Sequence, residues 1–346
     1  MLVLPLLLAL SGPVRPHTAT EHGLIVRVDS ARHAVVLTAG TYDLAPAMEE
    51  MPGMPMGMMS MDMSSLLRFQ WPVTGWIRGV RLRVTDATGK LLSSRMIHHI
   101  NVINFARRQL FYPIPERMIA LGEETGDLRV PATIGIPVSA AMPMAMVVAW
   151  HNHLPKEIKG VSVEMTIEYS PTNLVPKPVT VMPVYLDVMN PVAADVDFDL
   201  PAGTFSKSRD FKLPLGGRII GAGGHEHDFG TGLTLHDITD TTHKRQVVRV
   251  GTKQNAKGAL ISIDQLLPGI TGDGIKMQDG HSYRLTGGYN NPTGKSIEKG
   301  AMIHMILLFV PDHPDQWPKL DTTDPDWIKD TARLKAMGEI PEAPKH

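Results

Sequence analysis

A five-residue pattern occurs twice in this chain at one spacing. Phe69, Pro72, Gly75, Ile77 and Gly79 recur as Phe211, Pro214, Gly217, Ile219 and Gly221, always 142 positions later. A fixed offset is the signature of a repeated structural unit, so the chain is constrained to fold as two related halves. Upstream, Tyr42-Asp43-Leu44-Ala45-Pro46 resembles Phe198-Asp199-Leu200-Pro201 at an offset of 156. The two offsets differ by 14, so the first half carries about that many extra residues between the anchors. This interval contains the methionine-rich stretch Met48–Met63, which therefore reads as a loop insertion. Downstream, Thr85-Asp86-Ala87-Thr88-Gly89-Lys90 resembles Thr239-Asp240-Thr241-Thr242-His243-Lys244, a turn between strands.

Strand-like alternation dominates both halves. Val161, Val163, Met165 and Ile167 fall on one face of a strand. The run from Met302 to Val310 is continuously apolar and predicts a central strand buried on both sides. With 31 Gly, 28 Pro and few long helical patterns, the chain reads as all-β. The expected architecture is two tandem antiparallel β-sandwich domains, jelly-roll-like, over residues 20–178 and 179–315. They join near the proline-rich Pro171–Pro178. A polar tail, 316–346, follows, with a short helix opened by Asp324-Pro325-Asp326-Trp327 and ending near Gly338. The tail is expected only to pack.

Composition removes several function classes. A formal net charge of −1 gives no basic face for nucleic acid. The absence of cysteine excludes disulfides, zinc–thiolate sites, iron–sulfur clusters and cysteine nucleophiles. Against that stand 15 His and 21 Met, which bind borderline or soft metals without thiolates. Leu2–Leu10 is a short apolar run that suits the core of a signal peptide, so 1–19 is read as a leader and the protein as periplasmic or secreted. No other segment approaches the ~20 apolar residues of a transmembrane helix.

Four histidine groups lie in apolar or glycine-rich sequence, where a polar ring needs a partner. They are His98-His99, His151-Asn152-His153, His225-Glu226-His227 and His304-Met305. In a strand, residues i and i+2 share a face with Cα atoms ~6.5–7 Å apart, so His225 and His227 converge on one ion. Met305, on a neighbouring strand, is the expected third ligand, and two imidazoles with a thioether suit copper, particularly Cu(I). His304, facing the other way, is expected to be structural. Adjacent His98 and His99 bind one ion only at a strand end or bulge, with His151 or His153 as third ligand.

This pattern resembles the copper type II, ascorbate-dependent monooxygenases, the family of peptidylglycine α-hydroxylating monooxygenase and dopamine β-monooxygenase. The stretches that carry the resemblance are Met96-Ile97-His98-His99-Ile100, Ala149-Trp150-His151-Asn152-His153-Leu154-Pro155, Gly224-His225-Glu226-His227-Asp228 and Ile303-His304-Met305-Ile306. Gly160–Val163, Val184-Tyr185-Leu186 and Leu200-Pro201-Ala202-Gly203 add to it, over roughly residues 65–312. The resemblance implies two separated mononuclear coppers facing a cleft between the sandwiches. The copper on His98, His99 and His151 takes electrons from ascorbate or an equivalent donor, with His153 outside the ligand set. The copper on His225, His227 and Met305 binds O2 and hydroxylates a C–H bond of a small substrate, which makes these three the expected catalytic residues. The family's substrate-gripping arginine and tyrosine fall at Gly223 and Phe309, so a peptidylglycine substrate is not expected.

Met48, Met51, Met54, Met56, Met58, Met59, Met61 and Met63 lie in a stretch whose prolines and glycines exclude a helix. Clustered thioethers suggest an auxiliary Cu(I) loop that receives copper from a donor or chaperone. The alternative function is thus copper binding or delivery without oxygen chemistry. A third reading, a carbohydrate- or partner-binding sandwich, is weakened by an aromatic content of only 5%.

Overall fold

The computed structural model describes residues 23–46, 62–63, 66–192, 196–240, 242–269 and 273–336. The expected leader, Met48 to Met61 and the last ten residues lie outside the described residues.

The protein is all-β, with one short α-helix. The first half is a sandwich of two sheets. One sheet pairs Leu24–Asp29 with Ala34–Leu44, then Ile158–Pro171, Gly75–Thr85 and Ile134–Val138. The other is built on Ile97–Arg108, flanked by Pro143–Trp150 and Pro115–Gly122. Alternation decides what each strand buries. Val161, Val163, Met165 and Ile167 are fully buried and meet Ile100, Val102, Met146 and Val148 of the facing sheet in one core. In the second half the central pair is Gly217–Glu226 with Ile303–Pro311, flanked by Met182–Asp187. It packs on a sheet built around Ser282–Asn291 to form a second core.

The strand expected from the Met302–Val310 run is central but not buried on both sides. It spans Ile303–Pro311 and alternates, with Ile303, Met305, Leu307 and Phe309 in the core and His304, Ile306, Leu308 and Val310 on the outer face. That outer face is apolar because it lines the space between the halves.

The repeat extends to hydrogen bonds. The Asn152 Nδ2 group donates to the carbonyls of Leu44, Ala45 and Lys156. Asn291 Nδ2 donates to Leu200, Pro201 and Lys295 in the same way. Asp43 accepts from the Gly160 N–H as Asp199 does from Lys299. The two turns also match: Asp86 accepts from Thr88, and Asp240 from Thr242, through backbone and hydroxyl alike.

The halves also exchange parts. Leu110, Tyr112 and Ile114, from the first half, pack in the second core. Val179–Thr180 pairs in parallel with the first sheet, through Ile134 and Gly135. The helix Pro325–Ala336 lies on the outer face of the five-stranded sheet, where Leu334 packs with Leu66, Ile103, Ala145 and Val147. Asp330, fully buried, anchors it by accepting two 2.8 Å hydrogen bonds from Arg117. No helix among the described residues is long and apolar enough to cross a membrane.

Candidate metal centre

The histidines meet where the two halves face each other. His98 is the extra residue of a β-bulge: Ala149 stands opposite His99 and Trp150 opposite Ile97. A bulge re-aims the inserted side chain. The rings of His98 and His99 consequently lie on one side, 4.1 Å apart between centroids, instead of on opposite faces. His151 follows directly on the strand Pro143–Trp150 and is tied down by its N–H donating to the Met96 carbonyl. From the second half, His225 stands directly across the ladder from His304. Directly paired residues share a face, and their rings are 6.0 Å apart. His227 follows just beyond the strand end, its backbone N–H donating to the Tyr289 hydroxyl.

The two expected ligand sets are not separate. His99 Nε2 and His225 Nε2 are 3.0 Å apart, across the cleft. The ring of His98 lies 5.7 Å from that of His227 and 6.0 Å from that of His151. Ligand atoms of His98, His99 and His227 lie within 4.8 Å of one another, and so do those of His98, His151 and Glu123. Of these two groups the first therefore joins residues of both halves, the second lies within the first half, and they share His98.

Met305 does not face them. It lies opposite Gly224 in the ladder, one step out of phase with the His225–His304 pair, and is fully buried in the second core. The expected roles of the two neighbours are reversed: Met305 is a core residue, and His304 faces the cleft. His304 Nε2 lies 3.1 Å from Asp187 Oδ2 and 3.2 Å from the Tyr185 hydroxyl, which itself donates to Asp187 Oδ2.

Two glutamates missing from the sequence reading complete the centre. Glu123 and Glu124 follow the strand Pro115–Gly122. His153 Nε2 is 3.0 Å from Glu123 Oε2, so this exposed histidine holds a carboxylate of the candidate ligand group. Glu124, of the first half, holds His225, of the second, with Oε1 2.7 Å from His225 Nδ1. That contact turns the other ring nitrogen toward the cluster, as carboxylates do for metal-bound histidines. A Cβ at Gly122 would stand 2.5 Å from Glu124 Oε2, so a side chain there would make this carboxylate shift. The signal available in the sequence was the acidic pair itself, set in the turn Gly122-Glu123-Glu124-Thr125.

Burial makes the rings ligand-ready. Desolvation, with the neighbouring His225, lowers His98 to about 4. Desolvation holds His99 and His227 well below the ordinary histidine value and lowers His151. These rings are neutral at pH 7, the form that ligates metals. Desolvation also raises Glu226 to about 8. Burial opposes ionisation of Glu123, but the hydrogen bond with His153 prevails and holds it below the ordinary glutamate range.

Two cavities flank the cluster, and His98, His225, His227 and Asp197 line both. The smaller, about 140 Å³, carries the acidic side chains Glu123, Glu226 and Asp228. The larger, about 330 Å³, runs from the imidazoles between the outer faces of the two sheets to the tail helix, where Arg333 and Leu334 close it. The helix thus does more than pack.

The chain matches no protein-family profile and no curated protein. Among solved structures it is similar to a peptide-N(4)-(N-acetyl-β-D-glucosaminyl)asparagine amidase, at 10% identity over 80% of this chain and 96% of that one, with a TM-score of 0.36. It is also similar to the major capsid protein P2 of bacteriophage PM2, at 10% identity over 72% and 97%, with a TM-score of 0.35. PNGase F, a glycosylasparaginase from Flavobacterium meningosepticum, follows at 11%, 80%, 96% and 0.32. At these values none of the likenesses bears on function.

Proposed function

We propose that the chain is an exported copper-dependent monooxygenase-like oxidoreductase. It would hydroxylate a C–H bond of a small substrate with O2 and a one-electron donor such as ascorbate. The observation that carries this reading is the convergence of imidazoles from both halves on the wall of a largely apolar chamber. A copper-delivery protein has no need of such a chamber.

The residues fit a metal. His98 Nδ1 and His227 Nε2 are buried without a hydrogen-bond partner among the described residues. Orphaned ring nitrogens cost free energy unless something ligates them. His98, His99 and His227 would hold one ion, and His151 with Glu123 an adjacent position that shares His98. Because Met305 lies in the core, it supplies no thioether to distinguish copper from zinc. Copper is favoured instead by its place at the top of the divalent series for nitrogen ligands. Bound copper supplies one-electron and O2 chemistry. In the overall reaction, one atom of O2 enters the C–H bond and the other leaves as water, with two electrons from the donor and two protons. The chain's own groups set the geometry: Glu124 orients His225, His153 holds Glu123, and the facing sheets line the chamber with mostly apolar side chains. Export rests on the apolar run Leu2–Leu10.

The test is competitive loading. Metal-free protein is given equal Cu(II) and Zn(II), desalted, and read by metal analysis and EPR, then by oxygen uptake with ascorbate. Copper bound through nitrogen, and lost in a His99→Ala/His227→Ala variant, is expected. Retention of zinc alone sinks the copper reading. Copper retention with no oxygen uptake above that variant, across a panel of small aliphatic and aromatic substrates, favours copper delivery. One backbone feature supports that second reading: Asp62–Met63, at the end of the methionine-rich stretch, pairs with Ala149–Trp150 beside His151.

A further inference from the structure

The larger chamber is chemically polarised. On the strand Ile97–Arg108, alternate residues His99, Asn101 and Ile103 line it. Four residues of strand span ~13 Å, so the chamber has a histidine end and a distant end. At the distant end Arg117 stands opposite Ile103 in the ladder, and Arg333 reaches in from the tail helix. Between the two ends the wall is mostly apolar, with Leu121, Val147, Met302 and Ile306.

Among the described residues the distant end carries excess positive charge. Asp330 is shared by two guanidiniums, accepting from Arg117 at 2.8 Å and from Arg333 at 3.0 Å. One carboxylate balances one of the two cations. Arg333 Nε is buried with no hydrogen-bond partner among the described residues. Among the described residues that line the chamber, the carboxylate Asp197 also lines the smaller cavity with His98, His225 and His227, which places it at the histidine end.

We infer that the chamber binds a small amphiphile with a single carboxylate, its head on Arg333 beside Arg117 and its apolar body directed toward the histidines. A guanidinium matches a carboxylate in planar, paired hydrogen bonds, and an apolar wall matches an unbranched aliphatic body. The body is shorter than the strand span, because arginine and imidazole side chains reach inward from both ends. A medium-chain monocarboxylate meets both conditions. As a statement about a substrate this rests on the function proposed above, with the hydroxylated carbon at the end remote from the carboxylate. As a statement about binding it does not.

The probe is octanoate, titrated calorimetrically into metal-free full-length protein, with octanamide as the uncharged comparison. Octanoate should bind at least about tenfold more tightly than octanamide. Arg333→Gln should remove that preference while leaving octanamide binding in place. Equal binding of the two probes by the wild-type protein, which needs no variant, overturns the inference; so does an undiminished preference in Arg333→Gln. Copper retention is read separately. If copper is retained and oxygen consumed with another substrate while octanoate does not bind, the inference falls and the proposed function stands. If copper is not retained but octanoate binds with the Arg333 dependence, the function falls and the binding site stands.

Discussion

Metal-free protein should lose stability steeply as pH falls from about 6.5 toward 5. His98 moves from 6.5 to about 4 on folding, chiefly through desolvation. At 1.36 kcal/mol per pKa unit this is roughly 3 kcal/mol for one ring. The sign follows from proton counts. A folded-state pKa below the unfolded one means that the unfolded chain binds more protons in the window between them, so acid favours unfolding there. His99 and His227 shift in the same direction. Glu226 opposes them: its folded value is about 8, against 4.5 ordinarily, so it releases a proton on unfolding in that window. Near pH 5.5 three histidines take up about three protons and Glu226 gives up about one. The net of about two protons corresponds to a slope of roughly 3 kcal/mol per pH unit. Above about pH 6.5 the contribution of these three histidines is complete, while Glu226 and the raised His153 both favour the folded state less as pH rises, so stability should decline toward pH 8. Urea denaturation at closely spaced pH values, in the presence of a chelator, measures this curve. His98→Asn should remove about one proton from the acid limb, or about 1.4 kcal/mol per pH unit. A stability that stays flat between pH 6.5 and 5, or an acid slope unchanged in His98→Asn, would refute the reasoning that these rings are desolvated and neutral.

Asp330→Ala should cost about 3–5 kcal/mol in denaturant unfolding, because it strands the guanidinium of Arg117 under the tail helix. His153→Ala should weaken copper binding about 10–100-fold in a chelator competition, since its ring holds the Glu123 carboxylate of a candidate ligand group. Met305→Leu should leave copper stoichiometry unchanged and cost less than about 1.5 kcal/mol, as expected of a core exchange of similar volume; loss of copper would return Met305 to the ligand set. Asn152→Ala and Asn291→Ala should each cost about 1–3 kcal/mol, since each removes equivalent hydrogen bonds from a buried amide to backbone carbonyls. Of the two, only Asn152→Ala, beside His151, should also disturb copper retention.

The fold was legible because its signals are local and periodic. Val161, Val163, Met165 and Ile167 alternate, and all four are buried. The recurring Phe, Pro and Gly anchors mark recurring strands, and Gly75 and Gly217 each open one. Four histidine clusters were also legible, because polar rings inside apolar runs stand out. The way they combine was not. His304 and Met305 both fall in one apolar run, and only the ladder register shows which of them faces the core. Adjacency of His98 and His99 required a bulge, but sequence does not say which rings that bulge turns them toward. Glu123, Glu124 and Arg333 carried no periodic signal: an acidic pair in a turn and an arginine in a polar helix resemble surface residues until the other half of the chain is laid over them.

The repeat also bears on how the centre is shared. Were each half to carry a complete site, each would hold its own ion, as the ligand sets read half by half suggest. The two halves instead differ at the ligand positions. At the offset of 142, His225 and His227 correspond to Arg83 and Thr85. At the offset of 139, which relates Asn152 to Asn291, His151 corresponds to Asn290. Each half thus supplies imidazoles where the other has none, and the supporting groups cross over as well. Glu124 of the first half holds His225 of the second, and His99 meets His225 at 3.0 Å. A metal held by His98, His99 and His227 would bind both halves at once. Metal affinity and the packing of one half on the other are therefore linked: any change that loosens their contact lowers affinity, even with every ligand in place, and bound metal stabilises that contact in return.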